Sequence, residues 1–177
     1  MLMTSVSDLS QLVLHQGDLT IRRIHVADLA ALWLVYSDPE VMRFASDPPF
    51  DDPAMIDQFY QSVLAGYESG EYYELAILSG DLAIGTCSVH AIDPAAHQAE
   101  IGYLLQRGYW RRGIMFEALS LLLPALFTHL ALARLVAEID EANLPSRRLV
   151  HKLGFRPLPN TPNMFALPRP DQPALNR

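Results

Sequence analysis

A long apolar segment between two β-rich segments constrains the fold more than any other feature of the chain. The helical pattern covers residues 113–130, with the run HQAEIGYLL before it and the run ARLVAEID after it. A strand, a helix and a second strand in this order predict a βαβ unit with parallel strands. The uncharged part of the segment is shorter than the roughly 20 residues that span a bilayer. We therefore expect a buried crossover helix, kinked at Pro124, and no membrane-spanning helix.

The other patterns give the order of the remaining elements. Period-two alternation between turn residues predicts strands, and apolar spacing of three or four residues with capping signals predicts helices. The order is a strand at 19–25, helices at 28–36 and 52–70, strands at 72–79, 82–91 and 97–105, and, after the long helix, a strand at 133–140, a helix at 144–154 and a strand at 163–168. This order predicts one α/β (α+β) domain over residues 1–177, with a mixed, mainly antiparallel sheet and helices on both faces. We expect the core to span about 19–168 and the N-terminal segment and Pro-rich tail to be partly ordered.

Charge and cysteine content exclude several classes of function. A formal net charge of −7, from 20 acidic and 13 basic residues, disfavours binding to nucleic acid or to an anionic membrane. The single cysteine, Cys87, excludes an intramolecular disulfide framework, and the segment MLMTSVSDLS lacks the basic start of a secretory signal. The histidines show no metal-ligand spacing. We expect a cytoplasmic monomer or homodimer that uses no metal.

The stretch YWRRGIMFEAL places two arginines and a glycine at the start of the long helix. A glycine lets the backbone approach a ligand closely, and the first N–H groups of a helix have no partner within it. Arg111 and Arg112 add positive charge beside Gly113, and Arg107 lies one turn earlier. These features favour a phosphate or pyrophosphate at the helix start.

A second interpretation of this stretch stays open. Gly113 is also compatible with a simple turn, and paired arginines on a turn are commonly solvated. The other phosphate-binding motifs are absent from the sequence, since it contains neither G-x-x-x-x-G-K-[ST] nor G-x-G-x-x-G. A P-loop site and a Rossmann dinucleotide site therefore have no support.

Two longer stretches resemble a known family. The sequence AEIGYLLQRGYWRRGIMFEAL, followed by EIDEANLPSRRLVHKLGF, resembles the acetyl-CoA signature of the GNAT acyltransferases, most closely in the branch of the Rim-type ribosomal-protein N-terminal acetyltransferases. The opening LTIRRIHVADLAAL is similar to the first strand and helix of that branch. The resemblance implies a GNAT-like fold, with acetyl-CoA as co-substrate and an amine as acceptor.

The pyrophosphate loop departs from the usual pattern of the family. That pattern reads Gln or Arg, two residues, Gly, one residue, and then Gly or Ala. Here Trp110 holds the first place and Met115 the last, and Arg111 stands where many relatives have a further glycine.

The resemblance implies two groups of residues that bind acetyl-CoA. The strand before the helix would offer its backbone to the pantetheine arm through Leu104, Leu105 and Gln106. A backbone N–H near Leu104 would also hold the thioester carbonyl oxygen as charge develops on it. The N–H groups at the helix start would hold the pyrophosphate, and they belong to Arg111, Arg112, Gly113, Ile114, Met115 and Phe116.

Glu100 is the candidate general base. The acceptor amine must be neutral to attack, whereas an N-terminal amine has a pKa near 8 and a lysine amine a pKa near 10.4. Glu100 occupies the position in AEIGY where several family members keep a glutamate, so we expect it to remove the proton through a water molecule. The alternative is an exposed strand glutamate without a catalytic role.

Two residues near the last helix complete the predicted site. Asn143 matches the family asparagine that hydrogen-bonds the pantetheine, and it is also suited to cap the helix that follows. Ser146 lies three residues later, where Rim-like relatives place a serine that protonates the departing thiolate. Its alternative role is to satisfy a free N–H in the first helical turn.

Other suggestive residues receive structural interpretations. We expect Tyr103 to be a core or rim tyrosine without a catalytic role. Cys87 lies inside an apolar run, which favours a buried thiol over a nucleophile. Asp47, Asp51 and Asp52 would suit a cationic acceptor, or they cap a helix.

Three functions remain open at this point. The first is an N-acetyltransferase that acts on a primary amine, such as a peptide or protein N-terminus, by direct attack on the thioester without a covalent enzyme intermediate. The second is an acetyltransferase for a small molecule, such as an amino acid, a polyamine or an aminoglycoside. The third is a CoA-binding regulatory module without turnover.

Overall fold

A computed structural model of the chain describes residues 8–170. The N-terminal segment and the Pro-rich tail, expected to be partly ordered, lie partly outside the described residues. The elements follow the order β1 (Val13–Gln16), β2 (Leu19–Arg23), α1 (Leu29–Tyr36), α2 (Ala54–Ser69), β3 (Tyr73–Ser79), β4 (Leu82–Asp93), β5 (Gln98–Leu105), α3 (Ile114–His129), β6 (Arg134–Glu138), α4 (Leu144–Lys152), β7 (Arg156–Leu158) and β8 (Thr161–Pro168).

All eight strands form one sheet, in the order β1-β2-β3-β4-β5-β6-β8-β7. Neighbouring strands are antiparallel except for β5 and β6, which are parallel and are joined by α3. The predicted βαβ unit and the mixed, mainly antiparallel sheet are confirmed. No helix within residues 8–170 is long and apolar enough to cross a membrane.

Helices cover both faces of the sheet. On one face, the Tyr36 hydroxyl of α1 lies 2.9 Å from the Thr86 hydroxyl of β4. Tyr103 of β5 pairs in register with Cys87, whose side chain points away from that of Thr86 because successive residues of a strand face opposite sides. The Tyr103 hydroxyl meets Ser146 of α4, so α4 lies on the other face. The prediction of helices on both faces is confirmed.

The core forms where the helix stripes meet the central strands. Four leucines of α3 face inward at the predicted spacing, and each is at most 4% exposed: Leu119, Leu122, Leu123 and Leu126. Cys87 is fully buried in β4, as expected for a structural thiol, and burial raises the pKa of its thiol. The helix α3 continues through Pro124 to His129.

Several local features differ from the sequence-based expectations. The first predicted strand ends at Arg23, because the His25 N–H donates to Asp28 and begins the turn before α1. The Asp28 carboxylate also accepts two hydrogen bonds from Arg22, at 2.7 and 3.0 Å. Two short strands, β1 and β7, lie outside every predicted element. The Asp52 carboxylate accepts from Ala54 N–H at the start of α2, so it serves as a cap.

Candidate active site

A gap opens between β5 and β6 at the centre of the sheet. The two strands pair from Gln98 with Arg134 to Glu100 with Val136, and the register stops there. Both strands continue beyond that point, β5 as far as Leu105 and β6 as far as Glu138. The backbone of residues 101–105 therefore has β4 on one side and, among residues 8–170, no paired strand on the other.

The direction of each backbone group on β5 follows from its hydrogen bonds. The His97 carbonyl accepts from Arg134 N–H of β6, so the odd-numbered residues of β5 direct their N–H and C=O groups towards β6 and the gap. The Gln106 N–H donates to the Ile84 carbonyl of β4 at 2.7 Å, so the even-numbered residues face β4. The Leu105 carbonyl accepts from the Trp110 indole at 2.7 Å. Ile101 directly follows the last β5–β6 pair. Beyond Ile101, the groups that face the gap without a partner among residues 8–170 are the N–H and C=O of Tyr103 and the N–H of Leu105.

This geometry corrects part of the predicted pantetheine site. Leu105 directs its N–H towards the gap, whereas Leu104 pairs with Thr86 of β4. The Gln106 N–H donates to Ile84 of β4, and the Gln106 carbonyl accepts from Tyr109 N–H. The N–H groups directed into the gap are therefore those of Tyr103 and Leu105, and not that of Leu104.

The start of α3 forms a concave set of free N–H groups. Glu117 is the first residue whose N–H bonds within the helix, to the Gly113 carbonyl at 3.0 Å. The N–H groups of residues 114–116 precede that bond, and no side chain caps the helix. Arg111 and Gly113 have φ angles of 62° and 78°, on either side of Arg112. Alternation between left-handed and ordinary backbone turns successive N–H groups towards one point, which is the geometry of an anion-binding nest.

The left-handed backbone of Arg111 explains one departure from the family pattern. Many relatives have glycine at this position, and glycine adopts positive φ without strain. Here an arginine takes this left-handed conformation, with a φ of 62°, and adds a positive charge. A Cβ built on Gly113 would have no neighbour within 4 Å, so the space beside the nest is open.

The positive charge around the nest differs from the expected set. The Arg107 guanidinium lies 3.1 Å from the Asp38 carboxylate, so this arginine is paired and does not add free charge. Arg112 lies over the ring of Tyr109 at 5.4 Å. Lys152 of α4 places its ammonium 4.0 Å from the centre of the Phe116 ring, beside the first turn of α3. Arg111, Arg112 and Lys152 are therefore the cations next to the nest.

Asn143 caps the start of α4 by a hydrogen bond to Ser146. The Asn143 side-chain oxygen accepts from Ser146 N–H at 3.3 Å, which confirms the predicted helix cap. The hydroxyl of Ser146 remains available and hydrogen-bonds to the Tyr103 hydroxyl. Burial raises the pKa of Tyr103 to about 12, although the hydrogen bond with Ser146 opposes the shift. The phenol is therefore neutral near pH 7 and is a hydrogen-bond donor.

Glu100 borders the gap from the other face of the sheet. It is the last residue of β5 that pairs with β6, and its carboxylate lies 3.6 Å from His90 Nε2. Glu100 and Tyr103 are three residues apart, so their side chains point to opposite faces, about 10 Å apart along the strand. The gap therefore has a carboxylate on one face and a hydroxyl pair on the other.

The sequence did not indicate two members of this region. Tyr103 was expected to be structural, but its hydroxyl is the partner of Ser146. Glu74 lies within the apolar run YYELAILS, is 4% exposed, and accepts hydrogen bonds from Tyr36 and Tyr72. Burial raises the pKa of Glu74, and these hydroxyl donors oppose the shift. The available signal was a carboxylate inside an otherwise apolar strand.

Comparison with known proteins identifies the family. Residues 18–156 match the family model described as an acetyltransferase (GNAT) domain. An uncharacterized N-acetyltransferase of Bacillus licheniformis, p20, is 32% identical over 145 residues, which cover 81% of this chain and 82% of p20.

Two solved structures share the fold. The structure of RimL, a ribosomal L7/L12 alpha-N-protein acetyltransferase in complex with coenzyme A, superposes with a TM-score of 0.77 at 20% identity, covering 89% of this chain and 98% of RimL. The ribosomal-protein-S5-alanine acetyltransferase of Vibrio fischeri gives a TM-score of 0.75 at 17% identity, covering 92% and 100%. The predicted resemblance to ribosomal-protein acetyltransferases thus extends to the fold. Together with the family model and the similarity to p20, the gap between β5 and β6 and the nest at α3 lead to one conclusion: the chain belongs to the GNAT acetyltransferase family.

Proposed function

We propose that the protein transfers an acetyl group from acetyl-CoA to a primary amine by direct attack of the amine on the thioester. The observation that carries this proposal is the gap between β5 and β6, which has the anion nest of α3 beyond the end of β5 and ionisable or hydroxyl side chains on both faces. An amine that enters the gap can attack the thioester directly, so the reaction needs no nucleophilic side chain of the protein. No covalent enzyme intermediate is required.

The binding half of the proposal rests on backbone groups. The pyrophosphate of acetyl-CoA lies at the N–H groups of residues 111–116, with Arg111, Arg112 and Lys152 as neighbouring cations. The pantetheine arm extends along the open edge of β5 and hydrogen-bonds Tyr103 and Leu105. Asn143 caps α4, and its proposed contact with the pantetheine uses its remaining amide N–H donors.

The catalytic half rests on Glu100 and on one backbone N–H. Glu100 removes a proton from the acceptor ammonium, directly or through a water molecule. The neutral amine then attacks the thioester carbonyl, and the Leu105 N–H, which faces the gap, stabilises the negative charge on the oxygen. An N–H held in a sheet does not have to reorient during the reaction.

The leaving group receives its proton on the other face of the sheet. The nitrogen of the tetrahedral intermediate first gives its extra proton to water. The C–S bond then breaks, and the thiolate accepts a proton from the Tyr103–Ser146 hydroxyl pair, which takes a proton back from water. One hydroxyl donates to the other, so the pair presents one free O–H. This pair replaces Ser146 acting alone, which was the prediction from the sequence.

The acceptor is a peptide or protein N-terminus in this proposal. RimL and the S5-alanine enzyme carry names that describe protein acceptors, and they share this fold. Since Asp52 caps α2, Asp47 and Asp51 are the acidic residues left to attract a cationic acceptor. A small-molecule acceptor and a CoA-binding module without turnover are the competing functions.

Two measurements on the purified chain test the proposal. Isothermal calorimetry with acetyl-CoA measures binding, and thiol release over a panel of peptides with different N-terminal residues, amino acids, polyamines and aminoglycosides measures turnover. We expect micromolar binding, which corresponds to about −8 kcal/mol, and thiol release with a mass gain of one acetyl group on peptide amines. Binding without thiol release from any acceptor would identify a regulatory module. Release with small amines alone would identify a small-molecule enzyme.

A further inference from the structure

His90 lies between two polar partners beside the candidate base. Its Nδ1 atom is 3.3 Å from the Ser88 hydroxyl, and its Nε2 atom is 3.6 Å from the Glu100 carboxylate. The first distance is that of a hydrogen bond and the second that of an ion pair, and catalytic contacts are often long before substrate binds. Both ring nitrogens of His90 are therefore directed at groups that exchange protons.

The register between β4 and β5 produces this arrangement. Glu100 pairs directly with His90, and Gly102 pairs directly with Ser88, so all four residues share one face of the sheet. A Cβ at Gly102 would lie 2.7 Å from the Ser88 hydroxyl and 3.8 Å from the His90 ring. The absence of a side chain at Gly102 gives Ser88 and His90 the space they occupy.

Two acidic groups face His90 from neighbouring strands. Glu100 faces it from β5, and Glu74 of β3 lies on the same face because it pairs with Ser88. The Glu74 carboxylate is already bound by the hydroxyls of Tyr36 and Tyr72, and it is 4% exposed. Glu100 is therefore the carboxylate in ion-pair contact with His90. The His90 side chain is 38% exposed, so it has direct access to solvent.

We propose that His90 relays the acceptor proton from Glu100 to solvent, an inference that rests on the proposed role of Glu100. The acceptor ammonium gives one proton to the Glu100 carboxylate, which becomes a carboxylic acid. That acid passes the proton to Nε2 of neutral His90, which becomes an imidazolium and restores the carboxylate. The imidazolium then releases the proton to water, and Ser88 holds the ring in orientation through Nδ1. Each step moves one proton and changes no other bond.

The substitution His90→Gln tests the relay in the intact protein. Glutamine keeps hydrogen-bonding groups in place but does not titrate. The variant is expected to lose roughly tenfold or more in kcat/KM near pH 7.5, where a peptide amine is partly protonated and a lysine-type amine largely so. The loss should shrink towards pH 9.5 for a peptide amine, because the acceptor then arrives neutral. Free imidazole should restore part of the activity of His90→Ala at pH 7.5.

His15→Gln is the matched control. His15 also contacts a hydroxyl through Nδ1, which lies 2.9 Å from the Thr20 hydroxyl of the neighbouring strand, but it lies on β1 at the far edge of the sheet. This variant should keep the parental pH profile.

The outcomes separate the relay from the proposed function. If Glu100→Gln loses activity and His90→Gln matches the parent at every pH, the relay is wrong and the base assignment stands. An equal loss at every pH without imidazole rescue would also overturn the relay, because it indicates a structural role. Thiol release from no acceptor with the parent protein would contradict the proposed function itself.

Discussion

The start of α3 gives the sharpest test of the acetyl-CoA site. Gly113 has a φ of 78°, in the left-handed region, and a Cβ there meets no atom within 4 Å. The substitution Gly113→Ala therefore introduces backbone strain without a steric clash. For a residue with a side chain, this strain costs about 1–2 kcal/mol. A chain of this size should then lose about 2–8 °C in melting temperature.

We expect Gly113→Ala to weaken acetyl-CoA binding in addition to lowering the free energy of unfolding. If the strained backbone relaxes, the N–H groups at the helix start no longer converge, and at least one hydrogen bond to the pyrophosphate is lost. A hydrogen bond to a charged group contributes about 1.5–3 kcal/mol, and 1.4 kcal/mol corresponds to tenfold in Kd. We expect the Kd for acetyl-CoA to rise by about 10-fold to 100-fold, measured by calorimetry at fixed salt.

Gly70→Ala is the control that distinguishes the effect of backbone strain on stability from the effect on acetyl-CoA binding. Gly70 ends α2 with a φ of 73°, and its Cβ would lie 3.4 Å from the Tyr73 hydroxyl, close to an ordinary contact. It carries the same strain at a place remote from α3, so its melting temperature should fall as for Gly113→Ala while its Kd stays at the parental value. Parental affinity in Gly113→Ala, or equal loss of affinity in both variants, would refute the assignment of the nest.

Three further predictions concern the base, the hydroxyl pair and a structural ion pair. Glu100→Gln should lower kcat/KM most at low pH, where the acceptor is protonated, and a pH-rate profile identical to that of the parent would remove Glu100 from the mechanism. Ser146→Ala and Tyr103→Phe should each lower kcat by about 10²-fold or more with an unchanged Kd for acetyl-CoA, and the double variant should lose little more than either single one, because both hydroxyls serve one proton transfer. If the losses instead multiply, the two hydroxyls act independently. Burial alone would raise the pKa of Asp28, but the hydrogen bonds from Arg22 and from the His25 N–H outweigh burial and hold this pKa below its usual range. Asp28 therefore stabilises the fold at pH values above its unfolded-state pKa of about 3.9, and this stability is lost as the pH falls through the lowered pKa. Asp28→Asn should therefore cost on the order of 2 kcal/mol at pH 7, and thermal melts below about pH 3 should show the difference from the parent closing; a constant difference would contradict the linkage.

The parts of the fold with strong periodicity were predictable, and the weakly patterned strands were not. The apolar stripe on α3 and the strands predicted at 72–79 and 82–91 follow from residue spacing, so they could be located from the sequence. The strand β1 consists of exposed or partly exposed residues, so it has no apolar alternation to detect. Pro157 lies within β7, and proline normally argues against a strand. These edge strands form because neighbouring strands pair with them.

The candidate site was predictable to the level of segments but not of partners. The glycine and arginines at the start of α3 were identified from local sequence, and Glu100 on β5 was identified from the resemblance to the family. The direction of each amide on β5 depends on the register with β4, and this register cannot be inferred from the residue types. Likewise, Tyr103 meets Ser146 across 43 positions of sequence, so only the fold reveals the hydroxyl pair.

The sheet consists of two structural units that are joined by three residue pairs between β5 and β6. One unit contains β1 to β5 and the other contains β6, β8 and β7, and the ladder between them ends at Glu100. This ladder is shorter than those that join successive strands from β2 to β5 and that join β6 to β8, so it should open at a lower free energy than they do. A co-substrate that binds in the gap as proposed would join the two units and should slow exchange of the Tyr103 and Leu105 amide hydrogens. Hydrogen exchange at these two amides would then measure occupancy of the site without any knowledge of the acceptor.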